Sequence, residues 1–354
     1  MDFAFSEEQE LLRGSAREFL AERYPLERVG ELVDNATGEP GWLAGCWKQL
    51  ADLGWLDAEL DLLDHVVVFE ETGYGLLPAP LFGTLGLALP AIEHDTALRD
   101  EVAAGDLRLT LAWAETGRSH ALRDATASCV SVSEDGAVDG NAVLVPDAAA
   151  ADAIVVATTG GLRLVRATAG DAVTITPRDT TDHTRRMADV AFTGAPSTPL
   201  VDASETPAVL ERIERRALVL AAAEAIGVAR RAVDVAVQHA STREQFGRPI
   251  GSYQAVSHQI VDAYAGMELA RSLTYWAAWT VTESHGLSDA ACSAAKSSAA
   301  EAAVLACERA IQVCGGIGFT WEHVLHRLYK RALWLEAFAG HGREHRARIA
   351  DAVL

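Results

Sequence analysis

Arg243-Glu244-Gln245-Phe246-Gly247-Arg248-Pro249-Ile250-Gly251-Ser252-Tyr253-Gln254 lies between two long stretches of helical periodicity. Before it runs TPAVLERIERRALVLAAAEAIGVARRAVDVAVQHAST; after it runs AVSHQIVDAYAGMELARSLTYWAAWTVTESHG. Two readings of the segment are open. One is an ordinary helix–helix loop with a capping Phe. The other is an anion site, since a guanidinium beside free backbone N–H groups at the next helix start suits a diphosphate. A second Gly-rich helix end, Gln312-Val313-Cys314-Gly315-Gly316-Ile317-Gly318-Phe319, closes a third long apolar helix. There the backbone can approach a ligand closely, because glycine has no Cβ.

Working outward, LHRLYKRALWLEAFAGHGREHRARIADAVL reads as a fourth long helix. Four such helices with short connections predict an antiparallel bundle over residues 201–354. Residues 106–200 switch to short β-branched runs separated by turns, as in LRLTLAW, AIVVATT, LRLVRA and ADVAFTG. They predict a β-barrel or sandwich domain. Residues 1–105 are helical again. Ser6 with Gln9 makes a capping-box pattern, Gly54 ends a second helix, and Gly73 is placed as the stop of a third. The fold class expected is mainly α with a central β domain.

The chain has 354 residues, 30 Lys+Arg against 50 Asp+Glu and a formal net charge of -20. That balance argues against nucleic acid and anionic lipid as main partners, because both need clustered Lys and Arg. Five cysteines without a CxxC pair point to a reducing compartment and away from disulfides or zinc. No secretory start is visible, and charges break the longest apolar stretches, so no membrane span and a cytoplasmic location are expected. His341 and His345 are spaced to share a helix face with Glu344 beside them; they are read as solvated, and no metal site is expected. GxSxG, HExxH and P-loop signatures do not occur.

The two Gly-rich segments, REQFGRPIGSYQ and QVCGGIGFTWEH, resemble the acyl-CoA dehydrogenase family, as do FSEEQELLRGSAREFLAE and DGNAVLVPDAAAADAIVVAT. The resemblance covers nearly the whole chain. It is nearest to the short actinobacterial members that work in steroid and other CoA-thioester catabolism. It implies an N-terminal helical domain, a middle β-barrel and a C-terminal four-helix bundle. It also implies FAD, an acyl-CoA substrate and an electron-transfer flavoprotein or similar acceptor. In that family a glutamate removes the α-proton of the thioester and the flavin takes the β-hydride. Carried over, Arg243, Gln245 and Phe246 match the loop that holds the FAD diphosphate and adenosine end. Tyr253 and Gln254 match a second contact pair, and Gln312, Gly315 and Gly316 match the Gly-rich contact. These groups would reach a flavin seated in a neighbouring subunit.

The departures from the family pattern lie elsewhere. Its commonest base position is Ala339 here, and its alternative base position is Ala217, followed by Leu218 where an arginine is common. The flavin-ring loop reads Trp113-Ala114-Glu115-Thr116-Gly117-Arg118-Ser119-His120, without the family's proline and Gly-Ser-Asp ending. A later ring contact reads Leu144-Val145-Pro146, and the family's loop between Leu60 and Asp61 is deleted. The catalytic residue is therefore unassigned. The expectation is a base-lacking subunit of an α2β2 enzyme that lends its clamp to a paralogous partner. A self-sufficient flavoenzyme with a relocated base, at Glu214, Glu115 or Glu224, is one alternative. For Glu214 the plainer expectation is a surface charge paired with Arg215 or Arg216; for Glu224 it is a buried carboxylate paired with a neighbouring helix. A non-redox or structural protein on the same fold is the other alternative.

Overall fold

The computed structural model of the chain describes residues 5–34, 45–57, 59–115, 122–127 and 130–354. In chain order the helices begin with α1 (Glu7–Arg23), α2 (Leu26–Asp34), α3 (Cys46–Asp52), α4 (Leu62–Gly75) and α5 (Thr96–Ala103). The strands β1 (Leu109–Ala112), β2 (Ser131–Val132), β3 (Ala137–Pro146), β4 (Ala153–Thr158), β5 (Gly161–Arg166), β6 (Val173–Arg178) and β7 (Met187–Asp202) follow. After them come α6 (Thr206–Thr242), a hairpin of β8 (Glu244–Gln245) and β9 (Arg248–Pro249), α7 (Gln254–Thr282), α8 (Ser288–Cys314), α9 (Leu325–Ala337) and α10 (Gly342–Val353). The mainly α architecture with a central sheet is as expected.

Two compact units divide the chain. One holds residues 35–60 and 78–217; the other holds residues 1–34, 61–77 and 218–354. The first is organised by β7, whose 16 residues pair with β3, β5 and β6. The strands run in the order β1-β4-β5-β7-β3-β2, with β1 parallel to β4. Val138, Val145, Ile154, Val156, Val190 and Phe192 fill the core of this sheet. Beside it, α3 ends in a complete Schellman motif. Gly54 stands at φ 76°, its N–H donates to Ala51 O at 2.8 Å, and the N–H of Trp55 donates to Leu50 O at 3.0 Å.

In the other unit, α1 starts at the capping box read from the sequence, Ser6 with Gln9. Gly73 is not a stop: α4 runs through it to Gly75. Its role is a helix crossing, because a Cβ on Gly73 would overlap the carbonyl of Glu224 on α6, and one on Gly227 would overlap the carbonyl of Glu70. Two bare backbones therefore touch. Around this crossing the buried carboxylates of Glu70 and Glu71 are shared among helices. Arg230 of α6 donates to both at 2.7 Å, and Arg17 of α1 donates to Glu71 at 2.9 Å. Arg271 and Tyr275 of α7 donate to Glu70 at 3.0 and 2.9 Å. Burial, and then the Glu70 charge, push the Tyr275 phenol well above its ordinary value.

One expectation fails in this unit. The fourth long helix is broken into α9 and α10, because Ala339 and Gly340 both take positive φ, 56° and 109°. In length and composition alone, α8 with the turn after it, Ser288–Phe319, would pass for a membrane span, as the core helix of a globular unit also can. Its charges are widely spaced among alanines. The face carrying Ala295, Ala299, Ala303, Ala306 and Ala310 is buried, with α7, α9 and α10 packed on this helix.

Candidate cofactor clamp and base positions

The end of α6 and the start of α7 are joined by a tight hairpin. Phe246 and Gly247 occupy its tip at φ 54° and 79°, a two-residue turn of the kind whose twist matches antiparallel strands. The N–H of Ile250 donates to Arg243 O at 2.8 Å and pins the hairpin base. The hydroxyl of Tyr253 donates to Gln245 O at 3.1 Å. Arg248 lies over the Tyr253 ring at 4.1 Å, and the Phe246 ring meets Tyr253 edge-on at 6.4 Å. Arg248 was not singled out from the sequence, although its place just before Tyr253 in the same short segment is the available signal. Phe246 is left 92% exposed. Arg243, Gln245 and Gln254 are exposed as well, and among the described residues the Arg243 guanidinium makes no hydrogen bond or ion pair.

Gln312 is exposed in the last turn of α8. Gly315 ends that helix at φ 64° and ψ -138°, a conformation open to glycine. A Cβ on Gly315 or Gly316 would meet nothing within 4 Å, so a ligand can approach both backbones. Gly318 differs: its Cβ would come within 2.9 Å of Cys314 Cβ and 3.0 Å of Ile311 O, so it serves packing. Thus the structure gathers Arg243, Gln245, Phe246, Tyr253 and Gln254 into one hairpin and helix start, and Gln312, Gly315 and Gly316 into one helix end. Among the described residues no hydrogen bond or ion pair joins the two groups. The donor set fits an FAD diphosphate and nucleoside: an unpaired guanidinium, exposed carboxamides and bare glycine backbone.

Neither position that the resemblance assigns to a base can take a proton. Ala217 and Leu218 are buried in α6, and Ala339 is buried in the turn after α9. Glu214 is not a surface charge paired with Arg215 or Arg216. It is fully buried and paired with Arg123, while Arg215 pairs with Glu211 and Arg216 donates to Leu85 O at 2.5 Å. The reason is the face of α6: Glu214 points inward, where Ile213 and Ala217 are also buried. Glu224 is buried and paired with Arg331 of α9, the neighbouring-helix pairing expected for it. Trp113, Ala114 and Glu115 are buried, whereas residues 116–120 of the flavin-ring loop lie outside the described residues. Leu144 takes φ 52° and donates its N–H to Asp189 at 3.2 Å. Asp61, where the family's loop is deleted, caps α4.

Of the two histidines, His341 is exposed as expected, whereas His345 is not. His341 is held by Glu336 at 2.8 Å, and His345 is fully buried with Nδ1 3.3 Å from Ser293 Oγ. Burial, and then the charges of Lys296 and Arg348, hold His345 down at about 3. It is a neutral core residue.

Comparison with known proteins bears on the family and the fold. The family described as "Acyl-CoA dehydrogenase, C-terminal domain" matches residues 208–354. The acyl-CoA dehydrogenase IpdE2 of Mycolicibacterium smegmatis is 30% identical, over 99% of this chain and 100% of its own length. The acyl-CoA dehydrogenase FadE34 of Mycobacterium tuberculosis is 36% identical over 78% of this chain, which spans only 36% of that relative. Among solved structures, the Tcur3481-Tcur3483 steroid ACAD is 29% identical with a TM-score of 0.85, over 98% of each chain.

Proposed function

This chain belongs to the acyl-CoA dehydrogenase family, and we propose that it works there as the base-lacking subunit of a heteromeric enzyme. A paralogous partner would supply the flavin-ring seat and the proton-abstracting carboxylate. The observation that carries this reading is the contrast between two sets of positions. Ala217 and Ala339 are buried and inert, while Arg243, Gln245 and Gln254 stand exposed with the Arg243 guanidinium free. Glu214 and Glu224 are poor substitutes as bases, because each is buried and already engaged by an arginine.

The chemistry that FAD supplies when bound is acceptance of the β-hydride. This chain's share is binding. Arg243 neutralises phosphate charge, and the rigid hairpin holds it in place through Ile250 and Tyr253. Gln245, Gln254 and Gln312 offer carboxamides to the nucleoside end. Gly315 and Gly316 let it lie against backbone. The substrate class is an acyl-CoA thioester of the steroid-breakdown type, supported by the steroid enzyme among the similar structures. An electron-transfer flavoprotein or similar protein would take the electrons, and the cytoplasm is the proposed location.

The test is the flavin absorbance spectrum of the purified chain, alone and co-expressed with the adjacent dehydrogenase gene. A colourless chain that yields a yellow complex, with flavin at half the number of chains, supports the lent clamp. A chain that is yellow alone with one flavin each replaces it with the self-sufficient enzyme. No flavin in either preparation favours a structural role.

A further inference from the structure

Lys296 is the one lysine of α8, a helix otherwise lined with alanine and serine, and it is 1% exposed. Among the described residues no ion pair explains its burial. Its ammonium instead donates to two backbone carbonyls, Glu336 O at 3.2 Å and Gly340 O at 3.3 Å. Those oxygens bracket the turn Phe338–Gly340 between α9 and α10. We propose that Lys296 is a positioning residue for position 339: by bridging these carbonyls it sets the backbone path there, whatever side chain the position carries. The functional meaning rests on the reading that residue 339 stands at the family's base position; the bracket itself does not.

Three further observations bear on the inference. The residue held is in the left-handed region, at φ 56°, where a non-glycine residue needs outside support. The last carbonyls of a helix lack intrahelical partners and favour a cation, so an ammonium at the C-terminal end of α9 is well placed. A second tie crosses the same turn on its outer side, where the Glu336 carboxylate holds His341 at 2.8 and 2.9 Å. Other charged groups around the ammonium are Glu336 of α9, Glu344 of α10 and Glu301 of α8 itself. Arg346 is taken up by Glu301, and buried His345 stays neutral. Because both bonds go to backbone, a side-chain change at 339 leaves them intact.

A lysine that only filled space would be replaced well by methionine. A positioning lysine would not, although methionine removes the cost of burying a charge. The experiment compares the full-length chain with Lys296→Met and Lys296→Arg by thermal melting and by hydrogen–deuterium exchange of the peptide covering residues 337–343. The expected result is a split. Lys296→Met melts no lower than the parent, yet exchanges this peptide roughly ten- to a hundredfold faster, as loss of charged hydrogen bonds implies. Lys296→Arg, which keeps a charged donor, restores most of the protection. Parent-like protection in Lys296→Met overturns the proposal. So does Lys296→Arg exchanging as fast as a variant with no donor, Lys296→Leu, which also serves if the methionine variant fails to fold. No flavin or partner enters the readout, so the heteromer reading can fail without affecting it.

Discussion

Arg331 and Glu224 meet inside the helical unit with almost no water access, and neither charge is affordable alone. Arg331→Met should therefore destabilise the chain by about 3–5 kcal/mol, and adding Glu224→Met should recover most of it. Denaturant unfolding of the single and double variants checks this; equal losses in both would mean that the pair is not what matters. Lys296 makes a pH prediction. Burial lowers it from 10.5 to about 8. Between those values the unfolded chain binds more protons, so stability relative to Lys296→Met should rise with pH through that window. A flat or falling difference would contradict the burial. At the clamp, Arg243→Ala should weaken flavin retention in the complex roughly tenfold or more without changing the melting of this chain. Equilibrium dialysis of the complex would read it.

Among the elements, periodicity and caps were legible where local physics decides. The capping box at Ser6 starts α1, and the Gly54 stop closes α3, because both depend on residues a few places apart. Gly73 was misread because its local rule and its tertiary use differ: a glycine near a helix end suggests a cap, but here two helix backbones need the space. Gly73→Ala and Gly227→Ala should each cost about 1–3 kcal/mol or more. By contrast, Gly14→Ala on the exposed face of α1 should gain about 0.5–1 kcal/mol, since nothing lies within 4 Å of the new Cβ. Thermal melting of the three variants tests the contrast; a neutral Gly227→Ala would remove the crossing from the account. The α9–α10 break was hidden because the left-handed residue is an alanine, with only Gly340 beside it as a signal. The tight turn carrying Arg243, Gln245 and Phe246 was legible because its residues are adjacent in sequence. The placement of Glu214 and Lys296 was not, because their partners lie far along the chain.

Taken as a whole molecule, the chain should lose stability in acid through His345. Its ordinary value of 6.5 is lowered to about 3 in the fold, so the unfolded state takes up a proton that the folded state refuses. Stability should fall as pH drops from about 6.5 towards about 3, and less so in His345→Gln. Acid titrations of both forms by circular dichroism would settle the sign. The division into two units also sets an order in time. The unit built around β7 is complete in sequence once residue 217 has been made. The other needs α1, α2 and α4 from the first part of the chain and everything after residue 217. During synthesis those early helices must wait, with their apolar faces uncovered, until the last helices leave the ribosome. Nascent chains arrested once residue 217 has emerged should accordingly be cut by protease within α1 and α4 while the strands resist, and protection of α1 should come only once α6 to α10 have emerged as well.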